Sequence, residues 1–286
     1  METPLPNWLE LPREITINIL QRLDTVEIVT SVCVVCPLWW NICKDPLMWR
    51  TIGIISLSYF DERLEKICRY AVDRSSGYLK DIYIKKFATD DLINHIANST
   101  SELRCIKLEE CHGISSQVFS EVVKKQPFLE ELEIAYCDFT GTEFFEYIGR
   151  CCPLLKSLKF SRCFEESDKC DDIAFAIAKT MSTLRHLTII NIGLTNDGLL
   201  AILDGCAVLE SLDLRGCRHL DLDGSLGKRC NEQIKELRFP TESVDPNSSW
   251  INYISEGSLY INDYDFSSLL SVLEEIPYDP SNFIEF

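Results

Sequence analysis

Chemistry in this chain would be sought first among its fourteen cysteines and four histidines. Cys33-x-x-Cys36, with Cys43 close behind, has the spacing of half a zinc site. A closed tetrahedral site needs four ligands, and neither a second CxxC nor a neighbouring histidine follows. Cys36 also falls on an apolar stripe with Ile28, Val32, Val35 and Trp39, which gives it a packing role. Adjacent Cys151 and Cys152 could form a redox pair, but they close a helical pattern just before Pro153, where packing accounts for them. Catalysis usually calls for a histidine base beside a nucleophile. His95 falls inside a helical pattern, His112 and His219 follow extended segments, and only His186 is placed on an open strand face. No GxSxG, GxxxxGK[ST], HExxH or GxGxxG motif occurs. No catalytic residue, metal or cofactor is therefore expected, and the chain reads as a binding protein rather than an enzyme.

The elements that would position such residues come from a repeat. An apolar-x-x-apolar-x-apolar pattern recurs as Leu79/Ile82/Ile84, Leu103/Ile106/Leu108, Leu129/Leu132/Ile134 and Leu155/Leu158/Phe160. It continues as Leu184/Leu187/Ile189, Leu209/Leu212/Leu214 and Ile234/Leu237/Phe239. The first positions are 24, 26, 26, 29, 25 and 25 residues apart, and a weaker copy, Trp49/Ile52/Ile54, lies 30 residues upstream. Positions 3 and 5 face one side of a strand, so each unit predicts a short strand with one buried face. Between the strands lie helical patterns: Asp91 to Ala97, Val118 to Val123, Gly141 to Ile148, and Leu199 to Leu203. Strand, turn, helix and turn at a period of about 26 residues stack into an α/β solenoid, with a parallel concave sheet and convex helices.

Eight residues after the first leucine, four units carry cysteine: Cys111, Cys137, Cys163 and Cys217. This resembles the cysteine-containing leucine-rich repeat, in which a small apolar thiol fills the buried turn after the strand. Phe87, Ile192 and Glu242 take that place in the other three units. Glu242 resists burial, so the last unit is expected to be incomplete and the solenoid to end near Phe239. Most cysteines sit in apolar segments, which predicts free, buried thiols in a reducing compartment.

On the open strand face the central column runs Tyr83, Lys107, Glu133, Lys159, Thr188, Asp213, Arg238, with His186 beside it. A second column runs Lys80, Arg104, Glu130, Lys156, Arg185, Glu210, Lys235. Acids and bases interleave in both, which predicts a self-neutralised ladder of cross-strand pairs. Tyr83, Lys107, Glu133, Lys159, His186, Asp213 and Arg238 are also the candidates for contacting a target protein.

The formal net charge is −17, from 28 basic and 45 acidic residues. Nucleic acids and anionic membranes need a basic surface, so neither is expected as a partner. The apolar run around Ser31 to Trp40 ends at Asn41, short of a membrane span. The start, METPLPNWLELP, lacks a basic head and an apolar core, so secretion is not expected and nucleus or cytoplasm is. Residues 241–286 form an acidic tail without a lysine or arginine. A capped helix is expected over Asp265 to Glu275, and the aromatic residues suggest that part of the tail packs back over the repeats.

Residues 5–53 are of another kind. Ile15, Ile19, Leu20 and Leu23 have helical spacing after Pro12, and Asp45-Pro46 breaks the chain before Trp49. Three short helices carrying Trp39, Trp40 and Trp49 make too small a core to bury all three indoles, so a partner surface is expected. Leu11-Pro12-x-Glu14-Ile15-x-x-x-Ile19-Leu20-x-x-Leu23, Val35-Cys36-x-x-Trp39 and Asp45-Pro46-x-x-Trp49 resemble the F-box nearly position for position. Together with repeats over 54–240, the chain resembles an F-box/leucine-rich-repeat protein of the plant type. Asp24-Thr25-Val26-Glu27 departs from the usual paired acid and leucine, a change that bears on the turn more than on the docking face. The resemblance implies that the F-box docks on a Skp-type adaptor, and through it on a cullin and a RING subunit. Leu11, Pro12, Ile15, Leu20, Val35 and Trp39 would make the contact, and the repeats would present a target protein for ubiquitination. A scaffold or decoy without a degradation target would share these sequence features, whereas helices that merely cap the first repeat would not need Leu11-Pro12 together with exposed tryptophans.

Overall fold

The computed structural model of the protein describes residues 11–59, 61–139, 141–162 and 171–242. Expectations for Cys163, for the helix over Asp265 to Glu275 and for the packing of the tail lie outside these residues.

The chain starts with α1 (Arg13–Leu20), for which Pro12 is the N-cap at φ −54°. Proline suits that place because its missing N–H would find no helical acceptor there. Next comes α2 (Thr25–Thr30), opened by a capping box. Asp24 Oδ1 accepts from the Glu27 amide at 2.8 Å, and Glu27 Oε2 accepts from the Asp24 amide at 3.4 Å. The Asp24 to Glu27 departure thus shapes a turn, as its residue types imply. The expected stripe from Ile28 to Trp39 is not one helix. A 3-10 turn (Val32–Val34) follows α2, and α3 (Pro37–Cys43) begins afresh with Pro37 in its first turn. Proline forces the residue before it out of the helical region, and Cys36 is extended at φ −161°, ψ 163°. A second 3-10 turn, Pro46–Trp49, is capped by Asp45.

From there strand and helix alternate: β1 (Thr51–Ile55), α4 (Glu62–Arg74), β2 (Asp81–Lys85), α5 (Asp90–Ser99), β3 (Cys105–Glu109), α6 (Ser116–Lys124), β4 (Glu131–Ala135) and α7 (Thr142–Cys151). The series continues with β5 (Ser157–Ser161), α8 (Asp172–Thr180), β6 (His186–Ile190), α9 (Asn196–Gly205), β7 (Ser211–Asp213), α10 (Ser225–Gln233) and β8 (Glu236–Arg238). The eight strands among the described residues form one parallel sheet in the order β1 to β8. The weak upstream copy is therefore a full strand, and the boundary expected between residues 53 and 54 falls inside β1. In-register pairing aligns the repeats residue for residue: Ile82 with Ile106, Ile106 with Leu132, Leu132 with Leu158, Leu158 with Leu187, and Leu187 with Leu212. These side chains and the leading leucines Leu79, Leu103, Leu129, Leu155, Leu184 and Leu209 are buried between sheet and helices. In β8 Glu236 and Arg238 are exposed.

Two side-chain ladders tie the repeats together. Cys111 Sγ donates to the Ile84 carbonyl at 3.5 Å, Cys137 Sγ to that of Leu108 at 3.7 Å, and Cys217 Sγ to that of Ile189 at 3.3 Å. Phe87 and Ile192 fill the same buried place with carbon. At the other end of the strands, Gln126 Nε2 donates to the Thr100 carbonyl at 2.7 Å, while its Oε1 accepts the Leu103 amide at 3.2 Å. Cys152 and Cys206 continue that ladder onto the carbonyls of Gln126 and Met181. The cysteines among the described residues are free.

Candidate binding surfaces

The helical module and the first repeat share one apolar core. Trp49 is 1% exposed, donates its indole N–H to the Cys43 carbonyl at 2.8 Å and meets Tyr70 of α4 edge-on at 6.1 Å. Trp40 is buried beneath the Lys44 ammonium and the Arg74 guanidinium. The expectation that a core this small must leave its tryptophans to a partner is corrected on this point. Helix α4 supplies the missing walls, so only Trp39 stays half-buried.

Apolar exposure lies elsewhere on the module. Ile15, Ile19 and Leu23 follow one another at helical spacing and are 46%, 37% and 38% exposed, with Leu38 at 36% and Leu47 at 47%. Arg13 pairs with Asp45 at 2.8 Å, and Gln21 Nε2 donates to the Leu47 carbonyl at 3.0 Å, which holds the second 3-10 turn against α1. Arg13 also keeps the Asp45 carboxyl below its usual pKa. Among the residues singled out from sequence, Pro12 and Ile15 are exposed, and Leu11, Val35 and Trp39 are half-buried. Leu20, at 1% exposure, supports this face from beneath and is not on it. Leu38 and Leu47 were not singled out. The only signal for Leu38 was Pro37, which restarts the helix and rotates the apolar face, and Leu47 lies in a turn without periodicity.

Tyr83, Lys107, Glu133, Lys159, Thr188, Asp213 and Arg238 form one in-register column across the sheet. Lys107 Nζ stands 5.1 Å from the Tyr83 ring centre and 2.7 Å from Glu131, and Lys159 pairs with Glu133. Burial pulls the Lys107 ammonium down, but Glu131, Cys105 and Glu133 outweigh it and leave the pKa raised. In the next column Lys85 reaches Glu109 at 2.6 Å and Glu110 at 3.1 Å. Glu109 is 2% exposed, and burial raises its carboxyl more than Lys85 lowers it. Asp213 accepts from the Arg215 guanidinium, which holds that cation above its usual value. His186 is exposed at the edge of the same face, in register with Ser157 and Ser211.

The second column is an ion-pair ladder. Arg104 and Lys156 flank Glu130 at 3.1 and 2.5 Å, while Arg185 and Lys235 flank Glu210. Lys156 holds Glu130, and Lys235 with Arg185 holds Glu210, below the usual carboxylate range.

The chemically capable residues lie apart. Cys33 is hydrogen-bonded to Cys43, and that contact with burial pushes its thiol well up. Cys36 stands outside that contact as the α3 N-cap. His95 pairs with Asp73 at 2.9 Å and His112 with Asp138 at 3.0 Å, both between neighbouring repeats. Among the described residues, no group of three or more His, Cys, Asp or Glu could hold a metal ion, and no helix is long and apolar enough to cross a membrane.

Two modules are thus in place: a helical one with an exposed apolar face and a repeat sheet with a charge-paired one. Residues 8–55 match the F-box-like family. Over the longer span, the chain is 46% identical to the putative F-box/LRR-repeat protein 23 of Arabidopsis thaliana across 85% of its own length, and spans 57% of that relative. It is 45% identical to the F-box protein SKIP19 of the same plant, covering 92% of this chain and 85% of that one. With the putative F-box/LRR-repeat protein 22 it shares 40% identity over 88% and 83% of the two chains. With the F-box-like module and the parallel repeat sheet both present, the chain belongs to the F-box/leucine-rich-repeat family.

Proposed function

We propose that this protein is the substrate-recognition subunit of a Skp–cullin–F-box ubiquitin ligase. The observation that carries the reading is the row Ile15, Ile19 and Leu23, apolar and solvent-facing inside the F-box-like segment. Exposed apolar side chains grouped on so small a module mark a protein interface. Pro12, Ile15, Val35 and Trp39, with Leu11 beside them, contact the Skp-type adaptor in this reading; Leu20, buried beneath α1, anchors the helix that bears Ile15. The adaptor links the chain to a cullin and a RING subunit. The repeat sheet holds a target protein through the column from Tyr83 to Arg238 and through His186. Ubiquitin transfer falls to other subunits, so this chain contributes binding and geometry rather than catalysis.

The test is co-purification of the full chain with a Skp-type adaptor, alongside Ile15→Asp and Pro12→Ala. Both positions are exposed, so the fold should survive. Interface anchors of this kind are worth ~2 kcal/mol or more, about thirtyfold in Kd, and retention should be lost for Ile15→Asp and weakened for Pro12→Ala. A folded full-length chain that fails to retain the adaptor, or an Ile15→Asp variant that retains it equally well, overturns the proposal.

A further inference from the structure

Strand β8 leaves the end of the solenoid bare. In six units, from Ile82 and Ile84 to Leu212 and Leu214, both inward side chains of the strand are at most 2% exposed. In the last unit Leu237 and Phe239 are only half-buried, and so are Leu220 and Leu222. The backbone shows the same gap. At each of seven junctions one carbonyl accepts two consecutive amides of the following repeat: Arg50 takes Lys80 and Asp81, and so on to Glu210, which takes Lys235 and Glu236 at 2.9 and 3.1 Å. Among the described residues the equivalent carbonyl, that of Lys235, receives none, and β8 pairs only with β7. An open strand edge beside a bare apolar end is a liability that native solenoids cover with a terminal unit.

The chain still follows the repeat path where the described residues stop. The Gly216 amide donates to the Pro240 carbonyl at 3.1 Å, as the Asn191 amide does to that of Arg215 one repeat earlier. The sequence beyond has the parts of one more unit. Ile261, Tyr264 and Phe266 restore the apolar-x-x-apolar-x-apolar pattern 27 residues after Ile234, within the 24 to 29 of the other units. Leu269 falls eight residues after Ile261, the place of the buried turn residue that Glu242 interrupts. Asp245-Pro246 supplies a helix N-cap and a first-turn proline, and Trp250, Ile251 and Ile254 follow at helical spacing, where earlier units carry their convex helices. Charge fits as well. Residues 241–286 hold no lysine or arginine, whereas β8 exposes Arg238 and Lys235 lies just before it. In this register Asp265 stands opposite Arg238. Asp263 falls opposite Glu236, a like-charge pair on the open face, where solvent screens it.

We propose that residues 245–269 of this chain dock on the open edge of β8 as a further repeat, with Tyr264 and Phe266 packed beside Leu237 and Phe239, Asp265 beside Arg238, and the amides of Asn262 and Asp263 on the Lys235 carbonyl. Glu242 then marks a weak unit and not the last one, and the open-face column continues past Arg238 to Asp265. The docking does not depend on the adaptor or on a target, and its failure would leave the proposed function standing.

The test is amide hydrogen exchange of the full chain, read by mass spectrometry. Peptides covering residues 261–266 should exchange about tenfold or more slower than an unstructured chain, at any protein concentration. Tyr264→Asp should abolish that protection and speed exchange at residues 236–240, while β2 to β5 stay unchanged, because repeats contact only their neighbours. Ile284→Asp, outside the unit, should do neither. Should Tyr264→Asp fold poorly, a cysteine pair tests the register without removing an apolar contact. Neighbouring strands lie ~4.8 Å apart, close enough for a disulfide. Arg238→Cys with Asp265→Cys should therefore cross-link on mild oxidation, as mapped by peptide mass, and Arg238→Cys with Asp279→Cys should not. Several outcomes overturn the proposal: free exchange at 261–266, unchanged exchange at 236–240 in Tyr264→Asp, an equal effect of Ile284→Asp, or equal cross-linking of the two cysteine pairs. Protection of 236–240 that grows with protein concentration also overturns it, since a second copy would then cover the edge.

Discussion

Lys86, Glu110, Tyr136, Asn191 and Gly216 each stand seven residues after the leading leucine of a repeat, and all five have φ between +52° and +79°. The turn after the strand therefore needs the left-handed conformation, which a residue with a Cβ adopts at a cost of roughly 1–2 kcal/mol. Only one of the five is glycine, so glycine spacing gave no hint of this turn, whereas the thiol that follows it was readable. Gly216 is also pressed by its neighbour: a Cβ there would lie 2.1 Å from Asn191 Oδ1. Gly216→Ala should displace Asn191, break the 3.1 Å bond of its Nδ2 to the Arg162 carbonyl, and lower stability by about 1–3 kcal/mol. A denaturation midpoint equal to that of the parent chain would refute this. Gln126 is a comparable fixture, fully buried and bonded at both ends of its amide. Gln126→Leu keeps the volume but orphans the Thr100 carbonyl and the Leu103 amide. A loss of about 2–4 kcal/mol is expected by urea denaturation, from two buried groups at about 1–3 kcal/mol each less some relaxation. An unchanged midpoint would show that another donor replaces it.

The elements were legible wherever a period repeats. Strands β2 to β8 and their register follow from the leucine spacing, because a one-residue slip would turn every Ile82-type side chain to solvent. The helical module was harder to read. Its apolar residues do not close a core of their own, and the partner that completes it, α4, lies past a strand and has no sequence mark linking it to Trp40 or Trp49. Hence the sequence pointed to exposed indoles where the structure buries two of the three. At this scale the prediction concerns folding. A fragment of residues 1–60 lacks Tyr70 and Arg74 and should not give a cooperative thermal transition, while the full chain should. In the full chain, Trp49→Ala should cost about 3–5 kcal/mol, as for other large-to-small core changes, and should destabilise the module and the first repeat together. A sharp transition in the short fragment would show the module to be autonomous.

Over the whole molecule, the −17 charge coexists with ladders in which neighbouring bases and acids neutralise each other. Part of the sheet face was legible as a result: the columns and their pairing could be read, but not which members are buried, because that depends on how long side chains lie across their neighbours. Two kinds of carboxylate set the pH response. Glu130 and Glu210 are held below the ordinary value of 4.5, so the stability they lend is present above that value and is lost as pH falls through their depressed pKa. Glu109 and Asp81 are raised by burial, so their ionisation at neutral pH costs stability that returns as they take up protons. Melting temperature should therefore hold or rise slightly from pH 7 to about 5 and fall below about 4.5. A steady decline beginning at pH 7 would contradict this balance.

The packing of Trp49 on Tyr70 has a mechanical meaning as well. Helix α4 sits against the helical module on one side and β1 on the other, and β1 begins two residues after Trp49, with no linker between the two parts. The protein is therefore a bracket and not a tether. Tilting one arm against the other would mean prising apart an aromatic contact that the joint buries. A body seated on the sheet would be held out at one bearing and one reach from whatever grips the helices. Which of its surfaces came within range of a third component would be settled by the shape of this joint, before any affinity is considered.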